Sequence, residues 1–260
     1  MKGVGFLRNV WKELPHLNLG SSLRYVRMMA GRGGETVRLH PRHHPGLSFD
    51  IRAAGSDRWT FREIFVHEVY REVVEQVGHA RRFVDLGANI GLASLYFLER
   101  FPEAQGLAVE ANPATFAMLE RNLAGECAKG RACLFLGAAW SRDGAVAGDD
   151  GGSPDGFSRF SVRSVPATTA GGAGLIPARR VETLLDAQGW DRVDLIKIDI
   201  EGAEVELFRG GADWLERTHC VAMEFHDDSA RQCDWPAVLA RHGMREIKTG
   251  DPHTAIGIRG

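Results

Sequence analysis

The sequence predicts an α/β architecture with a mostly parallel sheet, and three observations carry that prediction. Short β-rich runs recur along the chain: "RFVDLG" (82–87), "GLAVEA" (106–111), "ACLFLG" (132–137), "VDLIKIDI" (193–200) and "CVAMEF" (220–225). Three of the four gaps between them hold helical candidates, near 91–101, 113–124 and 202–217. Strands alternating with helices imply βαβ units and a parallel sheet covered on both faces. The ending, "MREIKTGDPHTAIGIRG" (244–260), reads as two short strands around a Gly-Asp-Pro turn, an antiparallel edge hairpin closing the sheet.

In chain order, residues 1–55 read as a small helical and strand cap. It holds a short helical pattern, the His- and Pro-rich "LHPRHHPG" (39–46), and "LSFDIRA" (47–53), whose alternation predicts an edge strand. A piece this short buries little core alone, so it is a cap on the domain at 56–260. That domain begins with "DRWTFREIFVHEVYREVVEQV" (57–77), where Phe61, Ile64, Phe65, Val69, Val73 and Val77 recur at helical spacing and predict one amphipathic helix. The fourth gap is far longer than a normal αβ connection, an insertion over about 140–180. Two Gly-rich pieces, "GDDGGSPDG" and "ATTAGGAG", flank the alternating "FSRFSVRSV" (157–165). This predicts a β-hairpin excursion with loose ends, then a short helix near "VETLLDAQG" (181–189). Its role is either a tolerated surface insertion or a substrate-facing loop.

Composition narrows the function classes. The chain has 260 residues, 44% hydrophobic and 25% charged, which is ordinary for a globular domain. A formal charge of -2 lacks the surplus that phosphate-backbone binding needs, so nucleic acid is not an expected partner, although a local basic patch is compatible with that balance. Cys127, Cys133, Cys220 and Cys233 show no CxxC spacing and read as reduced packing residues. The amphipathic N-terminus is interrupted by Arg8, Lys12 and Glu13, which breaks any signal-peptide core. No stretch approaches the ~20 apolar residues of a membrane span. A cytoplasmic protein is the resulting expectation.

Ligands of parallel sheets bind beyond the carboxyl ends of the strands, at the point where strand order reverses. The first such end is "FVDLGANIGLASLYF" (83–97), where Gly87 and Gly91 allow a sharp turn and the following helix offers free N–H groups. The spacing is GxxxG, not the GxGxxG of a dinucleotide site, and Asp85 before it suits a ligand that brings positive charge. The second is "AVEANP" (108–113), whose Glu110 stands where a carboxylate holds ribose hydroxyls. A nucleoside with an amino acid tail satisfies both, which points to S-adenosylmethionine (AdoMet).

Four stretches in this order, "FVDLGANIGLAS", "AVEANPATFAMLERNL", "VDLIKIDIEGAE" and "MEFH", resemble the FkbM-type family of AdoMet-dependent methyltransferases, with "GSDRWTFREIFVHEVY" (55–70) as the helix before the first strand. The likeness spans about residues 50–226. It implies a class I, Rossmann-like methyltransferase fold and methyl transfer to a hydroxyl of a sugar, polyketide or other small metabolite. Asp85, Gly87, Asn89 and Gly91 match the AdoMet loop, Glu110 the ribose acid, and Gly137 with Ala138 and Ala139 the adenine-proximal position. Two departures stand out: "RAAG" where the family often has Arg-x-Gly-Thr, and the 140–180 insertion, which has no family counterpart.

The carboxylates of "DLIKIDIEGAE" (194–204) carry the chemistry expected of such a site. Methyl transfer is an in-line displacement, so the protein must align the acceptor and remove its proton. Asp199 either acts as the base or joins Glu201 and His226 in holding a divalent cation that acidifies the hydroxyl, with Mg²⁺ favoured by oxygen ligands. His226, at the end of the fifth strand, is a second candidate base. Glu204 and Glu206 are explained by the helix dipole alone. His40, His43 and His44 read as a surface loop, and Trp140 as a candidate pocket wall. The alternative to an enzyme is a non-catalytic AdoMet-binding regulatory or scaffold protein. Oligomeric state is open, a homodimer included.

Overall fold

The computed structural model describes residues 10–31, 36–149, 160–164, 174–250 and 254–260. The cap comprises helix α1 (Leu19–Met29) and the antiparallel pair β1 (Thr36–Leu39) and β2 (Phe49–Arg52). Asn18 starts α1, its side chain accepting the Ser21 N–H at 2.8 Å, an N-cap of the usual kind. Where one helix is expected over 57–77 there are two, α2 (Asp57–Phe65) and α3 (Arg71–Val77). The break falls at Glu68, whose φ of +51° lies outside helical space, and it turns Val69 and Tyr70 toward a cavity described below.

The main sheet then forms. β3 (Arg82–Leu86), α4 (Leu92–Arg100), β4 (Gln105–Glu110), α5 (Pro113–Ala128) and β5 (Ala132–Leu136) run outward in one direction. The chain then makes its excursion, β6 (Ala138–Ala139), β7 (Gly144–Asp149), β8 (Ser161–Ser164) and β9 (Leu175–Arg179), a four-stranded sheet ordered β6-β9-β7-β8. Within it β7 and β8 pair antiparallel, as the alternating pattern predicts; the Gly-rich pieces fall mostly outside the described residues. After α6 (Val181–Ala187) the chain returns as β10 (Val193–Ile198) beside β3, followed by α7 (Glu204–Arg209) and β11 (Thr218–Glu224). Short helices α8 (Ser229–Gln232) and α9 (Trp235–Arg241) lead to β12 (Met244–Ile247) and β13 (Thr254–Arg259).

The main sheet has seven strands ordered β12-β13-β11-β10-β3-β4-β5, and β13 is antiparallel to both neighbours. The mostly parallel sheet and its antiparallel edge hairpin are as expected; within the hairpin β13 inserts between β11 and β12, leaving β12 outermost. The patterns explain it. "TAIGIR" is buried along most of its length, with Ile256 and Ile258 at 0% and 6% exposure, whereas Arg245 and Glu246 of "MREI" face water.

Two apolar layers cover the sheet. Phe83, Ala108 and Leu195 face the cap, α2, α4 and α5, while Val84, Leu86, Ile196 and Ile198 face α6, α7 and α9. The cap is built into the first layer: Tyr25, Leu39, Phe49 and Ile51 are fully buried, and Phe49 stacks on Phe65. His44, expected on a surface loop, is buried there as well, hydrogen-bonded to Glu99 and packed edge-on against Phe65. A ring with a carboxylate at one nitrogen and aromatic faces around it is stable out of water.

Asn122 fastens the cap to the sheet. From α5 its Oδ1 accepts the Asp50 N–H at 2.7 Å, and its Nδ2 donates to Asp50 O at 3.0 Å and Ile90 O at 2.8 Å. Asn122→Ala would strand three buried backbone groups, and we expect it to lower unfolding stability by about 2 kcal/mol in a urea titration. A loss under about 0.5 kcal/mol would mean that water takes over those bonds.

Candidate active site

Strand order reverses between β3 and β10, and the site forms beyond their carboxyl ends. Gly87 follows β3 with φ +75°, and a Cβ on it would lie 1.7 Å from the Asp199 carbonyl oxygen. No other residue fits between these strand ends. Asn89 also takes a left-handed φ, +51°, which asparagine tolerates, and its side chain donates to Thr60 Oγ1 at 3.2 Å. Its N–H donates to Glu110 Oε2 at 2.9 Å, while Glu110 Oε1 accepts the Asn112 N–H at 2.7 Å. Burial raises the Glu110 pKa, with these two N–H groups opposing the shift.

Two adjoining cavities meet here. The first, about 780 Å³ with its mouth, is lined by Gly87, Asn89, Val109, Glu110, Ala138 and Ala139, with Asp199 and Glu201 at its end. Six of the eight residues expected at the cofactor site, Gly137 included, therefore line one cavity. The other two do not. Gly91 instead lets α4 start against α5, since a Cβ there would meet Leu119 Cδ1 at 2.8 Å. Asp85 is fully buried and lines neither cavity. Its Oδ2 accepts from Ser94 Oγ at 2.7 Å and its Oδ1 lies 3.0 Å from Lys197 Nζ, so its charge is already answered from within the protein. The insertion supplies Phe160 and Val162 to the same wall, whereas Trp140 packs into the insertion's own core.

Lys197 was not singled out in the sequence, although a lysine inside the apolar run "DLIKID" is a signal in itself. It is 3% exposed and stands opposite Asp85 in the β3–β10 register. Nζ donates to Gly87 O at 2.7 Å and lies 3.7 Å from Asp199 Oδ2. Burial alone would lower its pKa, but the Asp85 and Asp199 charges outweigh that and raise it, so it stays cationic.

The second cavity, about 980 Å³ with its mouth, runs from Gly87, Lys197 and Asp199 to Glu224, Tyr70 and Trp59. At its edge His226 gathers the acids. Nδ1 donates to Glu204 Oε1 at 2.7 Å, and Nε2 lies 3.7 Å from Asp199, 3.6 Å from Glu201 and 3.8 Å from Glu224. Glu204 is thus more than a helix-dipole partner: fully buried, it also accepts the Gly202 N–H at 3.0 Å and fixes the ring. Glu206 faces Ser141 and Arg209 instead. Burial alone would lower the His226 pKa, yet the Glu204 hydrogen bond and the Asp199, Glu204 and Glu201 charges push it up to about 9. Burial and then the Asp199 charge push Glu224 up to about 7, against the pull of His226. The arrangement offers a protonated imidazole among carboxylates, one of them basic near neutrality. The donor atoms of Asp199, Glu224 and His226 also lie within 4.8 Å of one another, a spacing that suits a cation; Glu201, the expected ligand beside Asp199, is outside that group.

The family profile "Methyltransferase FkbM domain" matches residues 85–246. Methyltransferase sdnD of Sordaria araneosa is 30% identical over 178 residues, 59% of this chain and 68% of that protein. The 2-O-methyltransferase NoeI of Sinorhizobium fredii is 24% identical over 65% of this chain and 73% of its own length. The 31-O-demethyl-FK506 methyltransferase FkbM of Streptomyces tacrolimicus is 26% identical over 76% of this chain and 86% of its own length.

Glu224 and His226 both contribute to the pH dependence of stability. Glu224 keeps its proton up to about pH 7 when folded and loses it in the ordinary carboxylate range when unfolded, so stability falls as pH rises between the two. The His226 contribution is complete below its unfolded pKa and is lost as pH rises through about 9. With chelator present, the urea midpoint should therefore decline across both windows. Glu224→Gln should flatten the lower part and His226→Gln the upper, and parallel profiles for all three proteins would refute the assignment.

Proposed function

The chain belongs to the FkbM methyltransferase domain family, and from that membership and the site we propose that it transfers the methyl group of AdoMet to a hydroxyl of a small acceptor, a sugar, glycosylated metabolite or polyketide. One observation carries the reading: the buried Glu110 carboxylate and the glycine cradle at Gly87 open into one cavity that ends at Asp199. These residues fit AdoMet. Glu110 would hold the ribose hydroxyls, Ala138, Ala139, Phe160 and Val162 would enclose the base, and Gly87, Asn89 and Asp199 would face the charged methionyl end. When bound, AdoMet supplies an electrophilic methyl on a sulfonium. The names of two relatives, a 2-O-methyltransferase and a 31-O-demethyl methyltransferase, support oxygen as the acceptor atom.

The protein's own part is to align the acceptor hydroxyl and take its proton. Asp199, shared by both cavities, stands where donor and acceptor pockets meet, with Lys197 and His226 holding its carboxylate from either side. Glu224, lining the second cavity and basic near pH 7, is the partner that accepts a proton and passes it on. Glu201 completes the negative lining and His226 keeps the acids in place. Trp59 and Tyr70 would wall the acceptor side. A divalent cation, where required, would be held by Asp199, Glu224 and His226 and would acidify the hydroxyl; it competes with the Nε2 proton for one place. An imidazole among the donors suits Mn²⁺ or Zn²⁺ better than Mg²⁺.

Calorimetric titration should show binding of AdoMet and none of NAD⁺, and Glu110→Ala should weaken AdoMet by about tenfold or more. In an acceptor screen read by S-adenosylhomocysteine release, Asp199→Asn should cut turnover by roughly 100-fold while AdoMet affinity changes little. Wild-type turnover in that variant would remove Asp199 from the mechanism. Tight AdoMet binding with no product from any acceptor would favour the non-catalytic reading. Chelator followed by Mn²⁺, Zn²⁺ or Mg²⁺ separates the cation question from the rest: unchanged rates throughout would exclude a metal.

A further inference from the structure

Charge is divided unevenly along the chain. Residues 1–49 hold eight Lys and Arg against two acids, a net +6 in a chain of net -2, which leaves -8 for residues 50–260. Such an asymmetry is the signature of a segment that meets an anionic surface. Within residues 10–31 of the cap every exposed charge is basic: Lys12, Arg24 and Arg27. The one acid there, Glu13, is fully buried, taking the Tyr25 hydroxyl at 2.6 Å and the Arg58 guanidinium at 3.0 Å.

The same segment exposes its apolar side chains. Of the six large hydrophobic residues that face water among the described residues, four fall between positions 11 and 26: Trp11 at 70%, Leu19 at 89%, Leu23 at 63% and Val26 at 40%. Leu19, Leu23 and Val26 are spaced i, i+4, i+7 on α1 and share one face. Ser21, Tyr25 and Met28 form the opposite, buried face. The helix is therefore apolar on two sides, one packed on the core and one outward, with Arg24 and Arg27 together on one flank. Hydrophobic residues scattered singly over a surface need no explanation, but a concentrated stripe rimmed by basic residues marks an interaction site.

We propose that this face of the cap docks on an anionic lipid bilayer. Protruding leucine, valine and tryptophan side chains beside arginine and lysine are the composition of an interfacial helix, which inserts its apolar face and draws anionic headgroups to its basic flank. Nucleic acid is served by the charge but not by the leucines, and a second copy of this chain is served by the leucines but not by like charges facing each other. The surface belongs to the cap and requires nothing of the cavities beyond the sheet, so it stands apart from the methyl-transfer reading.

The test is sedimentation of the full chain with phosphatidylcholine vesicles, with and without phosphatidylglycerol. Binding should need the anionic lipid and weaken as salt rises. Leu19→Glu together with Leu23→Glu should reduce it about tenfold or more with an unchanged urea midpoint. Lys12→Gln together with Arg27→Gln, which disturbs no packed side chain, should lower binding about fivefold for each charge removed. Failure to partition onto anionic vesicles, or equal partition of wild type and both variants, would overturn the proposal. It would also be overturned by a dimer in light scattering that the leucine variant dissolves, or by salt-sensitive binding of oligouridylate that ignores the leucines and exceeds vesicle binding.

Discussion

A buried lysine holds the switch point together. Lys197 bonds to the Gly87 carbonyl and lies between Asp85 on β3 and Asp199 beyond β10, so one ammonium joins the two strands whose separation creates the site. A cation in that position needs at least one close carboxylate to remain charged, and the carboxylates need it in return. Asp85 alone would be an unpaired charge in the apolar core; with Lys197 it becomes the anchor of the glycine turn. The turn in turn presents Asn89 to Glu110, and so the first cavity inherits its shape from an ion pair that does not line it.

Charge balance also governs the second cavity. Asp199, Glu201, Glu204 and Glu224 gather around one imidazole, and Glu204 fixes that imidazole by a short hydrogen bond from inside the fold. The acids are thereby split in function. Glu204 is spent on positioning, Asp199 is restrained by two cations, and Glu224 is left with raised basicity in the cavity wall. Environment alone separates chemically equivalent carboxylates into one tied up by hydrogen bonds and one that holds its proton near neutrality.

Much of this was legible in the sequence because it depends on local pattern. The strand runs, the glycine turn, Glu110 at the second strand end and Asp199 at the fourth all follow from periodicity and from where a parallel sheet puts its carboxyl ends. What was missed depends on contacts between distant residues. Asp85 precedes the turn like a ligand-binding acid, but its partner is 112 positions away and shows only as a polar interruption in β10. Glu204 is indistinguishable from Glu206 by spacing, yet one points inward to His226 and the other outward to Ser141. His44 carries no sign of burial among "HPRHHP", since the aromatic faces and Glu99 that enclose it come from other elements. The break at Glu68 lay inside a faultless helical period, which reports which residues face inward and not whether the helix is continuous.

The seam between the cap and the sheet resists separation. Arg52 and Asp57 form a bidentate pair across it, with Asp57 fully buried, and Asn122 binds the β2 backbone and the glycine loop with a single side chain. A module that recombination can swap needs a seam where few contacts cross, and this seam is stitched by charge, amide and aromatic stacking alike. Cap and sheet are therefore one cooperative unit: a substitution on the inner face of the cap reaches the glycine loop through Asn122, whereas the outer face of the cap is free of that constraint.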